Sequence, residues 1–305
     1  MKIKLVCNQQ IGDCMKTTTV AKLFHEQYPH IKIETAMSHP CVYDNNPYIE
    51  ALEPRVQDGA EDKTLNVVCR QDDEEGNLDN PYSIHKLSEN NATFTEGMVG
   101  YINAKYGFEL KVTENKPDIH LSDKEKKPIK GLPKKYWVVN TGGEAKNTRK
   151  IYPRKYWEEI FKACPDVTFV QTGISKDLHR PFEEKNVINR IDKDDVRETL
   201  RLIYHSSGVI TPISFTMHGA AAFEKPCITL AGGGEHVSWE NYEYDGFHYL
   251  HTIGSFPCCS GGGCWKDKCD NTEEDGTQKC MELIKPKIVT DLIWKHSEAS
   301  ATSSQ

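Results

Sequence analysis

Between Ile210 and Glu235 the chain reads ITPISFTMHGAAAFEKPCITLAGGGE. A short apolar strand, a loop, a helix of small residues, a second apolar strand and a glycine-rich loop follow one another. Few folds accommodate that order. A helix built from Gly219 to Ala222 can pack closely on a sheet, and strands joined through such a helix lie parallel. His218 is expected at the helix start, where unpaired N–H groups and the helix dipole favour an anion. Cys227 to Ala231 then runs apolar into Gly232-Gly-Gly, with Glu235 beyond. Ligands of open α/β sheets gather at the carboxyl ends of the strands. The segment therefore presents a phosphate and sugar-hydroxyl site, or it is an ordinary βαβ unit whose glycines only make turns.

The same grammar runs through the chain twice. Lys2 to Cys7 reads as a strand, Asp13 to Tyr28 as a helix with Val20, Leu23 and Phe24 on one face, and Ile31 to Thr35 as a second strand. Leu65 to Arg70 adds a strand, Thr95 to Tyr106 a helix and Phe108 to Val112 an extended piece. Residues 123–135, DKEKKPIKGLPKK, combine charge with Pro128, Gly131 and Pro133 and read as a solvated linker. Beyond it come a strand (Tyr136 to Asn140), a helix (Pro153 to Ala163), a strand (Thr168 to Thr172) and a helix (Asp194 to His205). Val209 to Thr211 leads into the opening segment. Pro286 to Lys295 is a last helix, and the small polar tail SEASATSSQ reads as disordered. The expected architecture is α/β, two Rossmann-like domains facing across a cleft. Residues 1–125 form the first domain, 136–285 the second, and 286–305 the closing helix and tail.

At 305 residues the chain is long enough for two such domains. A net charge of -7 argues against a large nucleic-acid footprint, which needs many phosphate-neutralising Lys and Arg. No stretch approaches the ~20 apolar residues of a transmembrane segment. The N-terminus reads as a first strand rather than a signal peptide. Eleven cysteines, an odd number, then argue for a reducing, cytoplasmic setting.

Three segments carry candidate chemistry. In QIGDCMKTT, residues 10–18, Gly12 allows a sharp turn after the first strand. Asp13 follows at the first helix, either as a general base or simply as an N-cap. In NTGGEAKNTRKIYP, residues 140–153, a strand end meets glycines and then Lys146, Arg149 and Lys150, with Pro153 opening a helix. Thr141, Lys150 and backbone N–H groups there suit a diphosphate; a solvent-exposed basic loop is the alternative. In the opening segment Glu235 either binds sugar hydroxyls or caps a turn. Trp239 and Tyr242 either stack on a base or sugar or belong to the core.

Together these segments resemble glycosyltransferase family 9, the ADP-heptose:lipopolysaccharide heptosyltransferases and their relatives. The resemblance is densest over residues 3–33, 137–160 and 200–285. Gly12-Asp13…Thr17 is similar to the family's GD-x-x-x-T, and Lys150-Ile-Tyr-Pro153 to its K-x-W-P. The stretch from Ile213 to Ala222 is similar to its D-T-G-x-x-H-x-x-A-A. The resemblance implies a GT-B fold and an inverting transfer of sugar from a nucleotide-diphosphate sugar to an acceptor hydroxyl, with no metal at the chemical step. It implies Asp13 as general base. It implies donor contacts from Thr141, Lys150, Ser214, Thr216, Met217, His218 and Glu235. Gly12 and Thr17 fall on the acceptor side, as does His85 in the loop NPYSIHKL, with Tyr82 beside it. Ile213 and Phe215 stand where the family has Asp and Gly. ADP-heptose is therefore not implied as the donor.

Cys7, Cys14, Cys41, Cys69, Cys164 and Cys227 are scattered and read mostly as small buried hydrophobes. Cys258, Cys259, Cys264, Cys269 and Cys280 cluster in a loop-rich stretch whose CC-x-x-GGCW element resembles a divergent branch of heptosyltransferase-like proteins. The spacings match no ordinary zinc ribbon. Cys259, Cys264, Cys269 and Cys280 nevertheless suit a structural Zn or Fe if the loop folds back, with His248 and His251 as further candidate ligands. Free thiols and disulfides are the alternatives. Two other functions stand beside glycosyl transfer: an inactive nucleotide-sugar-binding protein, and a metal-dependent assembly module forming a homo-oligomer.

Overall fold

The structure, a computed structural model, describes residues 1–50, 64–69, 87, 89–143, 150–240, 242–260, 263, 264, 269, 271–273 and 277–302, with side chains to Ser297. The chain divides into two compact units. One is Met1–Ser122 with Ser238–Glu240; the other is Asp123–Val237 with Asn241–Gln305.

In the first unit, β1 (Lys2–Cys7) leads into α1 (Ile11–Gln27), then β2 (Lys32–Met37), β3 (Thr64–Val68) and α2 (Phe94–Tyr106). The three strands form a parallel sheet in the order β2-β1-β3. β1 alternates: Ile3, Leu5 and Cys7 are buried, while Lys2 and Lys4 turn outward to pair with Glu34 of β2. The face of α1 that carries Val20, Leu23 and Phe24 is buried, as the spacing predicts. α2 opens on a capping box between Thr93 and Glu96 and closes at Gly107, whose φ of 73° needs glycine's freedom. Three residues from far along the chain complete this unit. Trp239 packs on Phe94, ring centroids 5.4 Å apart, and Glu240 forms an ion pair with Lys16 of α1.

The second unit runs β4 (Trp137–Asn140), α3 (Arg154–Ala163), β5 (Phe169–Thr172), β6 (Val187–Asn189), α4 (Val196–His205), β7 (Gly208–Pro212) and α5 (Phe215–Ala222). It continues with β8 (Cys227–Gly232), β9 (Phe247–His251), α6 (Lys279–Glu282) and α7 (Pro286–Thr302). Six parallel strands lie in the order β6-β5-β4-β7-β8-β9. Counted within the unit that is 3-2-1-4-5-6, the dinucleotide-binding Rossmann order, with its switch point between β4 and β7. The central strands are buried along their whole length and read as near-continuous apolar runs for that reason. Trp157, Ile160 and Phe161 of α3 pack with Val289 and Ile293 of α7 in one core. Leu202 and Ile203 of α4 pack with Met217, Ala220 and Ala221 of α5 in the other.

Several expectations change. β6 and β9 are additional strands; their residues are only partly buried, which leaves no clean period for a sequence to display. α7 continues to Thr302, so the tail SEASAT is helical rather than disordered. Residues 123–135 are not a free linker. Arg197 holds the Glu125 carboxylate at 2.8 Å, Arg201 reaches the Glu125 and Lys127 carbonyls, and Ile129 and Leu132 pack on the second core. Gly12 makes no turn: it lies inside α1, outside the positive-φ region.

Candidate active site

At the switch point of the second unit, β4 ends in Asn140, with Thr141 next in the chain, beside the loop that joins β7 to α5. Asn140 Nδ2 donates to Ser214 Oγ (3.3 Å) and Thr216 Oγ1 (3.4 Å). Thr211 Oγ1 lies 2.9 Å from Ser214 and 2.7 Å from Thr216, so three hydroxyls and an amide form one knot. Asn140 Oδ1 is buried and has no partner in that knot or elsewhere among the described residues. Thr141 Oγ1 accepts from Gln171 Nε2 at 2.8 Å. Nothing in the local sequence distinguishes Gln171 as its partner.

α5 begins at Phe215 with Ser214 as N-cap, so His218 stands one turn inside the helix rather than at its start. It is buried, and its Nδ1 lies 2.5 Å from the Tyr242 hydroxyl. Thr216 and Met217 are fully buried, Met217 in the apolar core. Of the expected donor contacts on α5, Ser214 is the least buried. Ile213, in the position of the family's carboxylate, is itself part of that core. Trp239 and Tyr242 are core residues, as the plainer of their two readings has it.

Lys150 and Glu235, far apart in sequence, meet as an ion pair with Nζ and Oε1 2.5 Å apart. Glu235 is nearly buried and Lys150 half-buried. The Tyr249 hydroxyl anchors the turn by donating to the Glu235 carbonyl at 3.2 Å. Lys146 and Arg149 lie outside the described residues.

In the first unit Asp13 is the third residue of α1, and Gln10, not Asp13, is the N-cap. The Asp13 carboxylate is half-buried and has no hydrogen-bond or ion-pair partner among the described residues. Thr17 is fully buried, bonded to the Tyr43 hydroxyl at 2.8 Å and to the Cys14 carbonyl at 2.7 Å, so it clamps α1 to the segment after β2. His85 and Tyr82 lie outside the described residues.

The second-unit thiols gather at the glycine turn after β8. Cys264 N donates to the Gly233 carbonyl at 2.8 Å. A methyl group on Gly233 would lie 3.0 Å from Cys259 Sγ and 3.5 Å from Cys280 Cβ. Burial pushes the Cys280 thiol up, with Cys269, Cys259 and Cys258 adding to the effect. No disulfide joins any of the described cysteines. Among the described residues no group of three His, Cys, Asp or Glu side chains stands in an arrangement that holds a metal ion. His248 is engaged elsewhere, 2.8 Å from His296, and His251 is exposed.

Two parallel α/β sheets, the second in Rossmann order with its polar residues at the switch point, define a GT-B type of fold. No protein-family model matches this chain, and no curated protein matches it by sequence. Solved structures do resemble it. The Escherichia coli ADP-heptose lipopolysaccharide heptosyltransferase II shares 14% identity at a TM-score of 0.62, over 99% of this chain and 100% of that one. The family 9 glycosyltransferase of Veillonella parvula shares 13% at 0.66, over 97% and 96%. TibC of enterotoxigenic Escherichia coli, an iron-containing dodecameric glycosyltransferase, shares 18% at 0.68, over 98% and 76%. The fold is thus that of the heptosyltransferases. Among the described residues no helix is long and apolar enough to cross a membrane.

Proposed function

We propose that this protein is an inverting glycosyltransferase that moves a sugar from a nucleotide-diphosphate sugar to an acceptor hydroxyl. The observation that carries the reading is the switch point. Asn140, Thr141 and Ser214 converge there on β4, β7 and α5, with Asn140 Oδ1 buried and unpartnered. The second unit holds the donor. Lys150 and the backbone N–H groups that open α5 stabilise its diphosphate as charge builds on the leaving group. The first unit holds the acceptor. Asp13 takes the acceptor hydroxyl's proton as the oxygen attacks C1, and the C1–O bond to the diphosphate breaks as the new bond forms on the opposite face. The free carboxylate at the head of α1 supports that role. The likeness in fold to enzymes that include a heptosyltransferase solved with ADP-D-beta-D-heptose supports the donor class. A thermal-shift series with ADP-, GDP-, UDP-, CDP- and dTDP-sugars and their free diphosphates tests it, because a ligand that binds only the folded state raises its apparent stability. A shift with one nucleotide names the donor class; none with any, on folded protein, overturns the reading.

The buried Ile213 favours a second reading, an inactive nucleotide-sugar-binding protein. It predicts the same thermal shift without transfer or donor hydrolysis.

The donor atoms around Gly233 are thiols, which suit Zn or Fe in type. Cys259, Cys264 and Cys280 adjoin that glycine, with Cys269 within electrostatic reach of Cys280. These residues, we propose, bind a structural metal that ties the loop after β9 to the end of β8, as part of a homo-oligomer.

A further inference from the structure

Three buried thiols under the first turn of α1 have no part in the proposed transfer. Cys7 ends β1, Cys14 lies in α1 and Cys69 follows β3. Cys14 Sγ is 3.8 Å from Cys7 Sγ and 3.3 Å from the hydroxyl of Ser38, an exposed residue. Cys69 N donates to the Val6 carbonyl at 2.9 Å, which places the third thiol on the neighbouring strand.

Buried cysteines are ordinarily inert packing. Two features set Cys7 and Cys14 apart. Their sulfurs need to close only from 3.8 Å to the ~2.05 Å of a disulfide, within reach of side-chain rotation and a small shift of one helical turn. The two thiols are also unequal. A hydrogen bond with the Cys7 thiol, and then one with Ser38, pulls the Cys14 thiol down to about 6 and so favours its ionised form, against burial, whereas the same bond and burial push Cys7 well up. A stabilised thiolate near a helix N-terminus, with a second thiol beside it, has the parts of a nucleophile and its resolving partner.

We propose that Cys7 and Cys14 are an oxidisable dithiol that closes to an intrachain disulfide in hydrogen peroxide. The Cys14 thiolate attacks one peroxide oxygen and the O–O bond breaks. The departing hydroxide takes a proton to become water, leaving Cys14 as a sulfenic acid. Cys7 then gives up its proton and attacks the Cys14 sulfur, and the hydroxide displaced leaves with that proton as a second water. Two thiols are oxidised and one peroxide is reduced.

Both sulfurs fall in one tryptic peptide, Leu5 to Lys16. The full-length protein is treated with rising peroxide until the exposed Cys258 is oxidised, then denatured, alkylated without reductant, digested and weighed. The expected peptide is lighter by two hydrogens, carries no alkyl group, and becomes doubly alkylated once reduced. Cys7→Ser and Cys14→Ser should each abolish the lighter species. A peptide still doubly alkylated when Cys258 has reacted overturns the proposal, and so does a Cys7–Cys69 cross-link in its place. A consequence for activity rests on the glycosyl-transfer reading: Asp13 precedes Cys14 directly, so the closed bond shifts the turn that carries the base. Oxidation should then lower transfer, dithiothreitol should restore it, and Cys7→Ser should resist the loss. If the protein transfers no sugar at all, the peptide mass still decides the disulfide.

Discussion

Lys150 and Glu235 form an ion pair across the second unit, Nζ to Oε1 2.5 Å, between the residues leading into α3 and the turn after β8. Sequence reasoning gives each a contact with the donor; the structure gives each the other. The pairing orients Lys150 and gives a diphosphate a carboxylate to compete with. Lys150→Ala should weaken binding of the free nucleoside diphosphate by about 1.5–3 kcal/mol, roughly tenfold to a few hundredfold, as for hydrogen bonds to charged groups. Glu235→Gln should change affinity for free diphosphate and nucleotide sugar alike, because Glu235 acts through Lys150. A loss confined to the nucleotide sugar, measured by calorimetric titration, would assign Glu235 to the sugar instead.

Asp13→Asn should lower the transfer rate roughly a hundredfold to ten-thousandfold, the usual worth of a positioned base, while donor binding stays near wild type. The variant keeps the shape of the α1 first turn, so a circular-dichroism melt should show little change. Wild-type turnover in Asp13→Asn would remove the base from this residue.

Lys16 and Glu240 are both nearly inaccessible, and the Lys16 ammonium lies 3.6 Å from the centre of the Phe94 ring. Removing one partner strands a buried charge. Glu240→Ala should cost about 3–5 kcal/mol of stability, and a Lys16→Met, Glu240→Leu double variant should recover much of it. Urea unfolding of the three proteins measures both. Equal stability of Glu240→Ala and wild type would show that solvent reaches Lys16.

Four imidazoles should make the protein acid-sensitive. Burial lowers His179, His236, His248 and His296. His251 adds to the effect at His236, His296 and Lys295 add at His248, and Lys295 at His296, with Asp245 opposing at the last two. The folded state therefore favours the neutral rings. Their contribution to stability is present above about pH 6.5, the unfolded value, and is lost as the pH falls below it, because the unfolded chain then binds more protons. The thermal midpoint should drop on the acid side of that point, and His296→Gln should flatten the drop.

Elemental analysis of purified protein should find Zn or Fe, and a strong chelator should expose thiols to a colorimetric reagent and lower the assembly state together. A metal-free protein whose loop thiols all react at once would end the structural-metal reading.

Much of this molecule is legible in its sequence, for reasons that differ by element. β4, β5, β7 and β8 read as near-continuous apolar runs because both their faces are covered. α3 and α4 each bury one stripe, and those stripes are visible as spacing. β6 and β9, partly buried, carry no such period. Nor does the charged run at 123–135 disclose that Arg197 and Arg201 will hold it down, since those partners lie some seventy residues away. Among the candidate site residues, Asp13 of the first unit and Lys150 of the second stand out by type and position. The contacts that decide their neighbours' roles do not: Thr17 to Tyr43, His218 to Tyr242, Gln171 to Thr141 and Glu235 to Lys150 all join residues that are distant in sequence.

The small segment Ser238–Glu240 sets a limit on the order in which this protein can be made. A ribosome that has released the first 122 residues has released every described strand of the first sheet but neither Trp239 nor Glu240. Until residue 240 emerges, Lys16 lacks its Glu240 partner and Phe94 lacks its indole neighbour. The amino-terminal half must therefore wait, unfinished, while most of the second half is translated. A gene cut at the charged stretch would encode a fragment that cannot complete its own interior.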